Sequence, residues 1–400
     1  MRRKMLSIAL LAMLALGCSA KASAQDIAID ETNFPDPGLR EYVQTAYDTN
    51  KDGVLSDEEN KAAKEMKVYF NADPTLMISI REDNTDDYYD LGEWKVRKEF
   101  PCDQIAENPL SKYDEAYVVG SYPWKCVVNQ PVKSWKGLEK LTSLERMDIG
   151  GAVPENLEIK GVRTLYSLTT GGDTSDFVSV SVKKCPKFRY LTFARTYKLK
   201  KIILSKDLKD LREIRQEEFF DRSVSGQDTR RKKPEIVIGE ASKLKYVNIW
   251  QKPIKNLRVD YSSLKRLSRM TLLMDNSKED MDLSSCKKLY SLTILGKCHK
   301  IILPNKKLFA EKSDGDDDWR YDPDILVSFG SQDGPKILDL SKSTRADDYA
   351  DEYIFPELMR KLKKGKVRTK TLIVSRKMYD NRWNTLRLLR KKGIKIQIKG

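Results

Sequence analysis

The sequence predicts an α/β fold in which stacked repeats form an irregular solenoid behind a small helical cap. Three observations support this prediction: a helix–loop–helix pattern near the amino terminus, repeats of short alternating strands further along, and a change in charge between the two. Residues 25–130 contain 11 basic and 23 acidic side chains, whereas residues 131–400 contain 59 and 36. The two parts therefore carry net charges of −12 and +23, and we expect them to bind different partners.

The composition limits the functions that the chain can have. Hydrophobic residues make up 40% and charged residues 33% of the sequence, so the chain can bury a core and is not disordered overall. It contains one histidine, His299, which argues against histidine-based catalysis and against metal sites built from several histidines. Past the first residues no apolar run reaches the ~20 residues that a membrane helix needs, so we expect no transmembrane segment in the mature chain.

Residues 1–24 are predicted to be a secretory signal peptide. Met1–Lys4 is basic, Met5–Leu16 is apolar, and Ala22–Ala24 offers small residues for cleavage, which is the signal-peptide pattern. A second interpretation is that the residues ending at Cys18 form a bacterial lipobox, in which the thiol of Cys18 is lipidated. Both interpretations predict export, to a secreted or cell-envelope location.

The helical cap is predicted at residues 25–70, around a loop that matches a calcium-binding pattern. Residues 48–59 (DTNKDGVLSDEE) fit D-x-[DN]-x-[DN]-G-x5-E at every fixed position. Calcium takes about six to eight oxygen ligands, and Gly53 permits the sharp bend that turns alternate residues inward. The predicted ligands are Asp48, Asn50, Asp52, the carbonyl group of Val54, Ser56 and Glu59.

Helical patterns flank this loop on both sides. Pro37–Tyr47 has apolar residues at helical spacing and a proline at its start, and Ser56 and Glu59 form a capping-box pair for a second helix. A single loop with three carboxylates predicts a Kd of roughly 10 μM to 1 mM, which extracellular calcium would saturate. We therefore expect a structural calcium ion rather than a switch.

Repeats of about 20 to 25 residues are predicted to fill residues 132–304. Each repeat starts with a short alternating strand, which is followed by apolar residues at every third position. The strands begin at Leu157, Val180, Ile236, Leu257 and Met281. One repeat cannot bury its apolar face alone, so the repeats must stack. Cys185 and Cys286 occupy equivalent apolar positions, and we expect them to be buried rather than joined in a disulfide.

These patterns resemble those of bacterial leucine-rich repeat surface proteins of the internalin type. Met281–Pro304 (MDLSSCKKLYSLTILGKCHKIILP) is similar to their repeat, Glu31–Glu59 to the calcium-loop cap that precedes the repeats, and Ser134–Gly150 to their first repeat. The resemblance implies an irregular leucine-rich repeat solenoid with an EF-hand-like helical cap. It also implies protein-binding or adhesive roles at the cell surface.

Residues 71–131 fit the repeat poorly. They contain Trp94, Trp124 and a run of acidic residues, and we expect either an elaboration of the cap or an inserted binding face. Cys102 and Cys126 flank one segment of this region and could form a disulfide in an oxidising compartment.

Residues 305–400 are predicted to hold divergent repeats and a C-terminal cap. The cap consists of a strand at 371–374, a basic amphipathic helix at 378–392 and a strand at 394–398. Carboxylates also alternate at 314–318, where a solvated acidic loop is a simpler interpretation than a second calcium site.

Two classes of function are favoured, and neither is enzymatic. The first is a monomeric, exported calcium-binding protein that recognises a protein or glycan outside the cell through its repeats. The alternative is a surface protein that binds polyanions or glycans through the basic repeats, which a steep dependence on salt would reveal. A glycoside hydrolase with two carboxylates in the acidic insertion is a third hypothesis, but no spacing of the carboxylates selects such a pair.

Overall fold

Parallel β-sheet dominates the chain in the computed structural model. The structure describes residues 26–70, 75–81, 96–101, 117–118, 126–128, 130–151, 155–170, 178–194, 199–217, 234–276, 278–306, 308–310, 325–329, 333–343 and 355–400.

These ranges contain many strands and few helices. The strands are β1 Ile27–Ala28, β2 Val54–Leu55, β3 Glu65–Phe70, β4 Thr75–Arg81, β5 Val96–Pro101, β6 Tyr117–Val118, β7 Cys126–Val128, β8 Arg146–Gly151, β9 Asn156–Lys160, β10 Ser167–Thr170, β11 Ser179–Lys183, β12 Tyr190–Ala194, β13 Lys201–Leu204, β14 Glu213–Glu217, β15 Glu235–Ile238, β16 Tyr246–Ile254, β17 Asn256–Arg258, β18 Arg269–Asp275, β19 Asp280–Asp282, β20 Ser291–Ile302, β21 Leu308–Ala310, β22 Ile325–Phe329, β23 Gly334–Asp339, β24 Thr371–Ser375 and β25 Lys395–Lys399. The α-helices are α1 Pro37–Ala46, α2 Asp57–Ala62, α3 Phe355–Lys363, α4 Arg376–Asn381 and α5 Trp383–Lys391, and short 3-10 turns occupy Leu138–Lys140 and Tyr261–Ser263.

The largest element is a sheet of 15 strands, which we call the long sheet. Its main path runs β25-β24-β23-β20-β18-β16-β14-β12-β10-β8-β3-β7, with β19, β21 and β22 attached at β20. Neighbouring strands in it are parallel, as the pairings of Leu168 with Met147 and with Leu191 show. A second parallel sheet has the order β17-β15-β13-β11-β9, and two small antiparallel sheets pair β1 with β2 and β4 with both β5 and β6.

Each repeat supplies one strand to each parallel sheet. In the first predicted repeat, Leu157 and Ile159 lie in β9 of the five-stranded sheet, and Leu168 lies in β10 of the long sheet. All three side chains are buried in one continuous apolar core. The facing sheets therefore bury the alternate residues of both strands, which is how an alternating pattern is satisfied in a half-buried sheet.

The apolar residues at every third position form the corner between the two strands. The backbone N–H of Leu165 donates to the carbonyl of Val162, and that of Phe188 donates to the carbonyl of Cys185. The same hydrogen bond, from a backbone N–H to the carbonyl three residues earlier, is found in the pairs Leu208–Leu211, Ala241–Leu244, Leu264–Leu267 and Cys286–Leu289. Apolar residues spaced three apart therefore mark a tight turn, which places both of their side chains in the core.

The predicted fold class, an α/β leucine-rich repeat solenoid with a helical cap, is wrong. The repeats are strand–turn–strand units that build two parallel sheets, and helices are few among the described residues. The period-three spacing does not distinguish a helical or irregular connection from a corner that leads into a second strand. Residues 199–217, with β13 and β14, also form a repeat that the sequence analysis omitted.

No helical cap is evident at the amino-terminal end, although the two predicted helices are present. Helix α1 begins at Pro37 with Asp36 as its N-cap, and α2 begins after Ser56 with the predicted capping box. Helix α2 is only six residues long, and the chain then enters β3, which pairs with β8. This segment therefore extends the long sheet instead of closing it with helices.

Other local predictions are confirmed, apart from the continuity of the basic C-terminal helix. The predicted strands near the carboxyl end are β24 and β25, and the predicted basic helix is divided at Arg382 into α4 and α5. Cys185 and Cys286 are fully buried free thiols. Desolvation raises the pKa of Cys185 to about 11 and that of Cys286 to about 12, so both thiols are protonated at neutral pH.

Candidate calcium loop

The loop between α1 and α2 folds around the carboxylate of Asp48. This residue is 3% exposed, and its two oxygens accept hydrogen bonds from the backbone N–H groups of Asp52 (3.1 Å) and Gly53 (2.9 Å). Lys51 and Gly53 have φ angles of 60° and 80°, in the left-handed region that glycine adopts without strain. These two left-handed residues bring the loop back over its first carboxylate.

Asn50 and Asp52 form an exposed pair on the same loop. The amide nitrogen of Asn50 donates to Asp52 Oδ2 (2.9 Å), and Asn50 Oδ1 accepts from the backbone N–H of Asp52 (3.0 Å). Asp52 Oδ1 accepts from the backbone N–H of Val54 (2.8 Å). Both side chains therefore hold the turn and stay open to solvent.

Glu59 ties the end of the loop to its start. Its Oε1 accepts from the N–H (2.7 Å) and hydroxyl (2.6 Å) of Thr49, and its Oε2 accepts from the N–H (3.0 Å) and hydroxyl (2.8 Å) of Ser56. These bonds, led by the one from the Thr49 hydroxyl, lower the pKa of Glu59 from 4.5 to about 2. Glu59 is therefore a buried carboxylate that is fully ionised at neutral pH.

The amino-terminal residues hold the loop from outside. Strand β1 pairs with β2, so that Ile27 lies opposite Leu55, and the N–H of Ile29 donates to the carbonyl of Gly53 (2.8 Å). Leu55 is fully buried. The pairing of residues 26–29 with the loop was not predicted from the sequence, because a two-residue strand is too short to show a periodic pattern.

The loop is also joined to the end of the long sheet. The hydroxyl of Tyr47 donates to the carbonyl of Glu65 at the start of β3 (2.9 Å). Asn60 donates from its side chain to the carbonyl of Lys140 (2.9 Å) and accepts from the N–H of Thr142 (3.0 Å). The residues on both sides of the loop are therefore bonded to β3 and to the turn that precedes β8.

The chemistry of the loop suits a hard cation, although no ready-made metal cluster is present. Across the described ranges, no three His, Cys, Asp or Glu side chains are gathered as a metal site. The six predicted ligands nevertheless lie within one tight loop, and all of them offer oxygen atoms, which is what calcium requires. Two of the three carboxylates, Asp48 and Glu59, are buried and accept only from N–H and O–H donors.

Several predicted features lie outside the described residues. These are the signal peptide with Cys18, Trp94 and Trp124, Cys102, and the acidic run at 314–318. Cys126 begins β7, but the disulfide predicted for it involves Cys102. Within the described ranges, no helix combines the length and the apolar character needed to cross a membrane.

Comparisons with known proteins identify no relative: no protein-family model, no curated protein and no solved structure matches the chain. The resemblance to bacterial leucine-rich repeat surface proteins therefore stays a prediction.

Proposed function

We propose that this chain is an exported, calcium-binding protein without enzymatic activity that recognises or adheres to a protein or glycan outside the cell. The observation that carries the proposal is the closed 48–59 loop, which has two buried carboxylates and whose flanking residues Tyr47 and Asn60 are bonded to β3 and to the turn before β8. Calcium would be held by Asp48, Asn50, Asp52, the Val54 carbonyl, Ser56 and Glu59. The bound ion supplies positive charge that offsets the three carboxylates and fixes the loop.

The rest of the described structure supports recognition over catalysis. Strands of both parallel sheets, such as β9 and β18, point alternate residues outward, and this gives wide surfaces with repeated side-chain rows. The one described histidine, His299, pairs with Asp280 at 2.6 Å on a partly exposed edge.

The calcium assignment is tested by thermal unfolding in calcium and in chelator. Calcium at a hundredfold its Kd should stabilise the intact protein by about 2.7 kcal/mol. Asp48→Ala and Glu59→Ala should each abolish this difference, because each removes a carboxylate ligand. The matched control is Glu58→Gln, which removes a neighbouring exposed carboxylate and should keep the full difference.

The readout is the calcium-minus-chelator difference for each variant, because Glu59→Ala also loses hydrogen bonds that do not involve calcium. Equal melting curves for the unaltered protein in the two buffers would contradict the proposal. So would a calcium effect that survives in Asp48→Ala.

The alternative function, binding of polyanions, is favoured by a specific observation on the long sheet. Several of the basic residues of the +23 region (residues 131–400) line one outward face of this sheet, together with tyrosines.

A further inference from the structure

The outward face of the long sheet between β10 and β20 carries a continuous row of side chains. Strand pairing places these residues side by side: Ser167, Tyr190, Glu213, Tyr246, Arg269 and Ser291. The next residue along each strand is buried, as Leu191 and Val247 illustrate. Because strand side chains alternate, the row must point away from the core.

A second row lies just before these strands. It consists of Tyr166, Arg189, Arg212, Lys245, Ser268 and Tyr290, whose backbones are linked in sequence by N–H to carbonyl bonds between successive repeats. The rings of Tyr166 and Tyr190 lie 5.0 Å apart between centroids. The guanidinium of Arg189 lies 5.2 Å from the Tyr166 ring, and that of Arg269 lies 5.7 Å from the Tyr290 ring. Tyrosine and arginine therefore interleave across the two rows.

A third row, two residues further along the strands, is made of polar side chains. It consists of Thr169, Thr192, Arg215, Asn248, Thr271 and Thr293. All six are partly or fully exposed. We call the three rows together the tyrosine–arginine face.

The charge of this face is strongly positive. It contains five basic residues and one acid, Glu213, which pairs with Arg215 at 2.8 Å. Arg212, Lys245 and Arg269 form no ion pair with any acidic residue that the structure describes. An anionic ligand would therefore meet three cations that have no direct ion pair with a described carboxylate, although Asp210 attracts one of them, Arg212, electrostatically.

We propose that the tyrosine–arginine face binds an acidic polysaccharide that lies across the strands. Each row offers a side chain about every 4.8 Å, which suits an extended polymer with repeated groups. The arginines would bind carboxylate or sulfate groups in paired hydrogen bonds, and the tyrosine rings would contact the apolar faces of sugars. The threonine hydroxyls of the third row would form hydrogen bonds with sugar hydroxyls. A nucleic acid would use the same arginines, tyrosines and hydroxyls, so the binding test includes an oligonucleotide to tell the two kinds of polymer apart.

This inference rests on the recognition role proposed above and not on the calcium site. The test measures binding of the full chain to immobilised hyaluronate, which carries carboxylates, and to heparin, which also carries sulfates. Neutral dextran and oligo(dT) are the comparison ligands. Binding to either acidic polysaccharide should weaken with salt, because counterions are released when anions are bound, and the preferred polymer tells carboxylate from sulfate recognition.

Two double variants locate the site. Arg212→Gln with Arg269→Gln should weaken polysaccharide binding at least tenfold, which corresponds to about 1.4 kcal/mol. Lys160→Gln with Lys183→Gln removes the same charge from paired positions on the five-stranded sheet and should change binding less than about threefold. Tyr246→Ser, at a side chain 37% exposed, should weaken binding about fivefold or more.

Melting curves of each variant confirm that it is folded. Equal losses in the two double variants would overturn the proposal, because binding would then follow net charge alone. Tighter binding to oligo(dT) than to both polysaccharides would overturn it in favour of nucleic acid, and so would equal binding to dextran or no binding at all. The calcium-dependent melting of the same preparation reports separately on the calcium assignment.

Discussion

Glu59→Gln is the substitution that most directly measures how the loop is held in the absence of calcium. The Glu59 carboxylate accepts four hydrogen bonds, two from Thr49 and two from Ser56. Glutamine keeps one acceptor oxygen and presents an NH2 group where the second oxygen was. One backbone N–H therefore loses its acceptor, and the bonds that remain lose the negative charge.

The expected loss in unfolding free energy is about 2 kcal/mol at pH 7 in chelator, since hydrogen bonds to charged groups are worth about 1.5–3 kcal/mol. The lowered pKa of Glu59 sets an upper limit on this loss of unfolding free energy, and the limit is consistent with the expected value. Lowering the pKa from 4.5 to about 2 corresponds to at most about 3.4 kcal/mol at 1.36 kcal/mol per pKa unit, and water around this surface loop reduces that figure.

The pH dependence has a defined sign. The folded pKa of Glu59 lies below the unfolded one, so the ionised carboxylate stabilises the fold above about pH 4.5 and loses that contribution as the pH falls toward 2. The difference between the unaltered protein and Glu59→Gln should therefore be full at pH 7 and nearly absent near pH 2.

Denaturant unfolding at both pH values, together with hydrogen exchange at the Thr49 amide, measures this difference. Glu58→Gln is the control with the same change of charge on the same helix, and its loss should stay below about 0.5 kcal/mol. Equal losses for the two variants, or a Glu59→Gln loss that persists unchanged at pH 2, would refute the proposed role of these bonds.

Two further predictions concern the sheet and the amino terminus. Gly296→Ala should destabilise the fold by several kcal/mol, because a Cβ there would lie 2.0 Å from the carbonyl oxygen of Met274 at a φ of +77°. The control is Gly365→Ala, also at positive φ but with open space around it, which should cost about 1 kcal/mol. The melting temperatures of the two variants test this difference. Mass spectrometry of the mature amino terminus should show loss of residues 1–24, whereas a diacylglyceryl group on Cys18 would establish the lipoprotein interpretation instead.

The sequence was informative where a local pattern marked a buried or capping side chain. Leu157, Ile159 and Leu168 are all in the core, as their spacing predicted, and the capping box of Ser56 and Glu59 is present. These patterns report local periodicity, which depends on one strand or one helical turn.

The arrangement of the repeats into two parallel sheets could not be predicted from local periodicity. The spacing of Val162, Leu165 and Leu168 is satisfied by a corner followed by a strand, but also by other connections that return apolar residues to a core. What decides between them is the pairing of Leu168 with Leu191, a contact between repeats that local periodicity does not specify. The tyrosine–arginine face was missed for the same reason, since Tyr190, Tyr246 and Arg269 become neighbours only through strand register.

The two proposed sites share one sheet but act at different places in it. Tyr47, which directly precedes the 48–59 loop, is bonded to Glu65 of β3, and β3 is separated from β10, which Tyr166 directly precedes, by β8. At about 4.8 Å for each step between strands, this attachment lies about 10 Å from the first tyrosine of the face. In a stack where each strand pairs only with its neighbours, an ion at one end stabilises the strands nearest to it and leaves the register further along unchanged. Calcium would therefore protect the amino-terminal end of the long sheet from fraying, while affinity for a ligand on the face would depend on the arginines and tyrosines themselves.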